Sequence, residues 1–286
     1  MSEPGTLADG TRIGPYRVSG HLVANTYRAA HVTTGARVLI EIASISDWRD
    51  MMREMMRAQR LAEALKHPGV ARIIERGVLA DHRPWIATEV PSGLGLYEVI
   101  ARRTLVVGEA TSLIRDVADV LAYAHARGVI HRALTLRSIT MRSGAAFPLC
   151  ISEWGLRVDD LGVFGAPELT MDGRFDGRID VYALGVIAFR AVTRRFPGEG
   201  GVFDVPHAPT GLATLIARML AISPSERPIA AEVRAVASEL IAAGEDGEDV
   251  VQVGKPRFSR PKWTPSPELV ITSERAPTAS GEIEKK

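Results

Sequence analysis

The chain has 286 residues and a mass of 30.9 kDa, 46% hydrophobic and 24% charged, which exceeds one typical domain and is enough to bury a large core. Its 35 Lys and Arg against 34 Asp and Glu leave a formal charge of +1, so no global field draws it to nucleic acid or to an anionic membrane. A single cysteine, Cys150, excludes an internal disulfide and a cysteine-built zinc site and points to a reducing compartment, the cytoplasm; neither a signal-like N-terminus nor about eighteen consecutive apolar residues indicates export or a membrane span.

Residues 1–12 carry Gly, Pro, Ser and Thr without periodicity and read as a flexible leader. From Tyr16 onward, short β-branched and apolar runs predict strands: YRVSGHLVANTYRAA, RVLIEIA and WIATEV, with Thr33-Thr34-Gly35 as a turn. Between the second and third runs, Met51, Met52, Met55, Met56, Leu61 and Leu65 recur at helical intervals, and the helix over 48–65 stops before His67-Pro68. This first lobe, about 13–90, is β-rich with one long helix.

Past Pro91-Ser92-Gly93-Leu94-Gly95 the chain turns helical, and a second lobe runs over about 94–243. Leu113, Val117, Val120, Leu121 and Ala124 make one stripe of a helix over 109–127, with Gly128 at its C′ position. The more uniformly apolar 180–190 and 210–220 read as buried helices. From Gly244 the composition changes to mixed charge with five prolines, and 244–286 is expected to be a disordered tail. The fold class is α+β, a bilobal arrangement.

The stretch His131-Arg132-Ala133-Leu134-Thr135-Leu136-Arg137-Ser138-Ile139 is followed by Ser152-Glu153-Trp154-Gly155, Gly165-Ala166-Pro167-Glu168, Asp180-Val181-Tyr182-Ala183-Leu184-Gly185 and Arg227-Pro228. This succession, over 13–243, resembles the protein kinases, in particular the bacterial eukaryotic-type (Hanks-type) Ser/Thr kinases with their H-R-D-L-K-P-x-N loop. The resemblance implies a bilobal protein-kinase-like fold. It also assigns structural work to His131 and Trp154 in a stacked spine, to Arg132, to Asp180 beneath the catalytic loop, and to Glu168 and Arg227 as a buried ion pair.

Set against the same pattern, the residues with chemical roles are replaced. The glycine-rich loop over the phosphates falls on Ser19, His21, Ala24 and Thr26. V-A-I-K becomes Val38-Leu39-Ile40-Glu41, so that a carboxylate stands where a phosphate-neutralising Lys is expected and Leu39 crowds the adenine slot, with Thr88 and Thr140 completing the cleft. Ala58 takes the place of the Lys-pairing Glu, Glu54 lying one turn earlier. The catalytic Asp is Ala133, the γ-phosphate Lys is Thr135, the metal-binding Asn is Ser138, and the D-F-G Asp is Glu153. Glu153 and Ser138 are the positions left to a metal.

The expectation from these losses is a pseudokinase: no catalysis, no ATP or Mg²⁺, no metal, and work as a protein-binding scaffold or allosteric regulator of a signalling partner such as an active kinase. The alternatives are nucleotide binding without turnover, and an atypical kinase reusing Glu153, Ser138 and Glu54. WGLRVDDLGVFG lacks Ser, Thr and Tyr, which excludes switching by phosphorylation there. Glu41 either pairs with Arg57 or reaches solvent, and the Met helix offers either a binding surface or core filling. Cys150 reads as an inert buried thiol. In the tail, KPRFSRPKW and the Thr264-Pro265 and Ser266-Pro267 steps read as an acidic-partner contact and phosphosites, or as a solvated linker.

Overall fold

The computed structural model describes residues 7–23, 25–42, 53, 65–154, 161–170, 176–198, 205 and 208–244. Six strands, β1 (Arg12–Ile13), β2 (Tyr16–Val23), β3 (Thr26–His31), β4 (Arg37–Ile42), β5 (Ile73–Val78) and β6 (Pro84–Glu89), form one antiparallel sheet in the order β1-β2-β3-β4-β6-β5. The run from Tyr16 thus resolves into a hairpin. Register shifts in β2 at Val18/Gly20 and His21/Val23 bulge the strand.

Alternation decides what this sheet buries. Val38, Ile40 and Ile42 of β4 point to one face, where they pack with Ile13, Tyr16, Val18, Tyr27, Ala29, Trp85 and Ala87. Gly77 on β5 is needed there, since a Cβ would lie 2.6 Å from the Trp85 indole. The helix expected over 48–65 falls outside the described residues apart from Arg53, which is helical and exposed, and Leu65, which lies outside any helix. The tail beyond Gly244 lies outside them as well.

The second lobe opens with a small sheet of β7 (Leu94–Gly95), β8 (Ile139–Met141) and β9 (Leu149–Ile151), and is built from α1 (Leu96–Arg102), α2 (Val107–His125), α3 (Arg178–Thr193), α4 (Thr210–Met219) and α5 (Ala230–Ala242). α2 buries the stripe Leu113, Val117, Val120, Leu121 and Ala124 against α3 and α5. α3 is buried almost all round, from Ile179 to Ala191, and forms the axis of the lobe. α2 ends at His125 with Ala126 as its C-cap, earlier than the expected 127, and Gly128 follows with φ +72°, in the left-handed region that turns the chain toward His131.

The short β1, β7, β8, β9 and α1 were not read from the sequence, and neither were two longer elements. β5 is an edge strand whose residues are mostly exposed, so it has no apolar alternation to detect. α5 buries only Ala230, Val233 and Ala237, small residues that allow close approach to α2 but leave little hydrophobic pattern. Among the described residues no helix is long and apolar enough to cross a membrane.

Because Phe189 on α3 is fully buried in the helical-lobe core, Phe189→Ala is expected to cost about 3–5 kcal/mol, read as a lowered urea midpoint with unchanged slope.

Candidate active site

The floor of the cleft is organised by Asp180, in the first turn of α3 and 1% exposed. Its Oδ2 accepts the His131 backbone N–H at 2.8 Å and lies 2.8 Å from His125 Nε2; its Oδ1 accepts the Arg132 N–H at 2.8 Å. Burial opposes ionisation of this carboxyl, but the hydrogen bond and charge of His125, together with His131, outweigh it and hold the pKa below its ordinary value. With both N–H groups so fixed, Arg132 sits at φ +69°, a left-handed conformation that costs a non-glycine residue about 1–3 kcal/mol.

The β8–β9 ladder pairs Ile139 with Ile151 and continues through the Ser152 N–H donated to Ser138 O at 2.8 Å. His131 Nε2 donates to Ser152 O at 2.9 Å, which fixes its tautomer and leaves Nδ1 to accept the Ala133 N–H at 3.3 Å. The His131 and Trp154 rings lie 4.7 Å apart, and Trp154 Nε1 donates to Ile151 O. Between these anchors Glu153 is also left-handed, at φ +64°. Burial raises its carboxyl pKa, against a smaller downward pull from Arg137.

The other loop positions divide sharply. Ala133 is buried and offers a methyl group, with no proton acceptor. Ser138 Oγ is fully buried, accepts the Thr135 N–H at 3.0 Å and donates to Thr135 O at 2.9 Å, so this hydroxyl is engaged in closing the loop. Thr135 Oγ1 in turn accepts the Arg137 N–H at 3.2 Å. Of the two positions left to a metal, Glu153 retains a carboxylate for it. Among the described residues no group of three or more His, Cys, Asp or Glu gathers into a metal cluster.

The roof follows from register. Directly opposed residues share a face, and Thr26 lies opposite Glu41, Arg28 and Thr88 opposite Leu39, and Ile86 opposite Glu41. Ile86 belongs to the helical-lobe core, so this is the face turned toward that lobe. It collects Thr26, Arg28, Leu39, Glu41 and Thr88. Glu41 is 4% exposed and Thr88 5%, and the Thr88 Oγ1 has no hydrogen-bond partner among the described residues. Ser19 Oγ donates to Arg28 O at 3.4 Å, His21 is exposed beside Tyr27, Ala24 lies outside the described residues, and Thr140 sits on β8 opposite Gly95 and Cys150. Burial pushes the Cys150 thiol up to about 11, which makes it a poor nucleophile.

Tested against a nucleotide with its divalent cation, the roof and floor fit in part. The buried Thr88 hydroxyl suits the polar edge of a base, and the Glu153 carboxylate suits the cation. The Glu41 carboxylate does not suit a phosphate.

Beneath the cleft, Arg227 grips Glu168 bidentately, Nη1 to Oε1 at 2.6 Å and Nη2 to Oε2 at 2.8 Å. Its remaining donors reach the Ala221, Ile222 and Arg178 carbonyls, and the guanidinium lies 4.9 Å from the Tyr182 ring. The His125 partner of Asp180 was not read from the sequence. It comes from the last turn of α2, and nothing in a spacing of 55 residues signals the contact.

The Arg227 side chain is fully buried, so Glu168→Ala leaves its charge without a counter-ion and is expected to cost about 3–5 kcal/mol by chemical denaturation. Glu153 gives a pH test. Because its folded pKa is raised above the ordinary 4.5, the unfolded chain ionises first, and stability declines as pH rises from there through the folded value. Glu153→Gln is expected to flatten that part of the pH–stability curve, and therefore to gain on the parent protein at pH 7 relative to pH 4.

Comparison with known proteins places these features in a family. The pattern of the protein tyrosine and serine/threonine kinase family matches residues 18–236. The chain is 26% identical over 283 residues to the serine/threonine-protein kinase pkn2 of Myxococcus xanthus, covering 86% of this chain and 33% of that protein. It is 29% identical over 174 residues to the serine/threonine-protein kinase PknJ of Mycobacterium tuberculosis, covering 56% of this chain and 29% of that one. The crystal structure of the Mycobacterium tuberculosis PknI kinase domain superposes with a TM-score of 0.65 at 25% identity, over 82% of this chain and 99% of that one. The chain spans about a third of the length of the curated relatives it matches.

These findings correct three expectations drawn from the sequence. That the domain is not an enzyme, that it is a pseudokinase scaffold, and that ATP and Mg²⁺ are not expected ligands are all overturned by its relatedness to serine/threonine-protein kinases across the whole bilobal domain. Those expectations weighed Glu41, Ala133, Thr135, Ser138 and Glu153 one side chain at a time. The frame that shapes the cleft, from the Asp180 contacts to the Glu168–Arg227 pair, is intact around them. The chain belongs to the protein tyrosine and serine/threonine kinase family.

Proposed function

We propose that the chain is a nucleotide-binding domain of the serine/threonine kinase class, an atypical kinase whose phosphoryl transfer is slow. The observation that carries this reading is the pair of left-handed residues, Arg132 and Glu153, held at the cleft by Asp180 and by the β8–β9 ladder. Strained backbone at a non-glycine residue persists only where its surroundings enforce it, and here it presents Glu153 at the cleft floor. Support comes from the serine/threonine-protein kinases to which the chain is related.

A nucleoside triphosphate with its divalent cation would supply the transferable phosphoryl group. Glu153 holds the cation, one methylene further out than an Asp would. Thr88 offers its buried hydroxyl to the base, and Leu39 narrows the slot from the roof. Ala133 can take no proton from an acceptor hydroxyl, so that proton leaves to water; lacking a general base costs roughly 10²–10⁴-fold in rate. The acceptor is a Ser or Thr side chain of a protein partner in the cytoplasm, and another signalling kinase fits that description. The kinase-like unit spans 13–243, between the leader and the tail.

The test is calorimetric and kinetic. ATP with Mg²⁺ at about a hundred times its dissociation constant is expected to stabilise the protein by about 2.7 kcal/mol, and a protein unmoved by any nucleotide would defeat the reading. Ala133→Asp is expected to raise phosphoryl transfer to a Ser/Thr protein substrate by roughly 10²-fold, and Glu153→Ala to remove the Mg²⁺-dependent part of binding.

A further inference from the structure

On the roof, the strand that would bring a cation to bound phosphates ends instead in the buried Glu41. A polyphosphate beside that carboxylate is repelled unless a cation offsets it. The floor carries one in an unusual place. Arg137 is exposed on the catalytic loop, its backbone N–H fixed by Thr135 Oγ1 and its loop closed by Ser138. Its guanidinium lies 4.8 Å from the centre of the Tyr97 ring, on the first turn of α1, and makes no hydrogen bond to a described residue. An arginine braced by stacking, its guanidinium donors engaged by no described residue, is poised for a planar or tetrahedral oxyanion. It lies near enough to Glu153 for that carboxyl to feel its charge.

We propose that Arg137, steadied by Tyr97, is the phosphate-binding cation of this cleft, supplied by the catalytic loop of the lower lobe in place of a cation from β4. This deepens the reading above and rests on it. The ligand class is a nucleoside di- or triphosphate, recognised through its β- and γ-phosphate oxygens, with Glu153 and the divalent cation on one side and the guanidinium on the other. Arg28, Arg37 and Arg76 share the roof face and are the rival cations, and Arg195, exposed beyond the end of α3, is the control.

Titration calorimetry of the full chain with adenosine, ADP and ATP, each with and without Mg²⁺, tests it. The parent protein is expected to bind ADP and ATP more tightly than adenosine. Arg137→Ala is expected to weaken ADP and ATP about tenfold or more while leaving adenosine unchanged, Arg137→Lys to recover part of the loss, and Arg195→Ala to behave as the parent. Arg137 is exposed, so an unaltered melting temperature without ligand separates loss of binding from loss of fold. A parent protein that binds none of the three ligands sinks the proposed function itself. A parent that binds while Arg137→Ala retains the ADP-over-adenosine preference overturns this proposal alone, as does loss of that preference in Arg28→Ala only. Unchanged ADP affinity with impaired transfer to acidic peptides also overturns it, since the guanidinium then serves the acceptor.

Discussion

An ionised carboxylate survives full burial only if donors replace the water it has lost, and Asp180 recruits them from three places: two successive backbone N–H groups of the catalytic loop and the imidazole of His125. The consequence reaches well beyond one side chain. Fixing both N–H groups forces Arg132 into the left-handed region and turns the loop toward the cleft. His131, positioned by the same contact, then ties down Ser152 and stacks on Trp154, which leaves Glu153 strained between two anchored neighbours. α3, which carries Asp180, is buried on every side, so the cleft floor inherits the rigidity of the helical core.

That rigidity explains how the domain keeps the shape of a kinase while its cleft residues have diverged. Replacing Asp by Ala at 133, or Asn by Ser at 138, removes chemical groups without touching the contacts that hold the loop. Ser138 even closes the loop through its own hydroxyl. Charge is also unevenly placed: a buried carboxylate stands at Glu41 on the roof, and a stacked arginine at 137 on the floor. Electrostatics in a cleft depends on where charges sit in space, so the two are read together.

Much of the fold was legible in the sequence. The alternation Val38, Ile40, Ile42 announces a half-buried strand, the stripe from Leu113 to Ala124 a helix, and the apolar density after Asp180 a central one. β5 and α5 were not, because an exposed edge strand and an alanine-faced helix carry little periodic hydrophobicity. The positions of the candidate site came from the resemblance, whose motifs fall on Glu41, Ala133, Ser138 and Glu153. Their meaning was not legible, because each was judged by what its side chain lacks, and neither the His125 contact nor the Arg137–Tyr97 stack leaves a trace in linear order.

The sequence by itself determined the lobe order, the strand and helix faces, the family resemblance and the identity of every altered side chain, because these depend on local periodicity and on distances along the chain. Only the tertiary structure decided which face of the sheet looks into the cleft, how Asp180 strains the backbone at Arg132, and that Arg137 stacks on Tyr97. Those outcomes arise from groups tens of residues apart competing for the same buried space and the same hydrogen-bond donors, which no local pattern encodes.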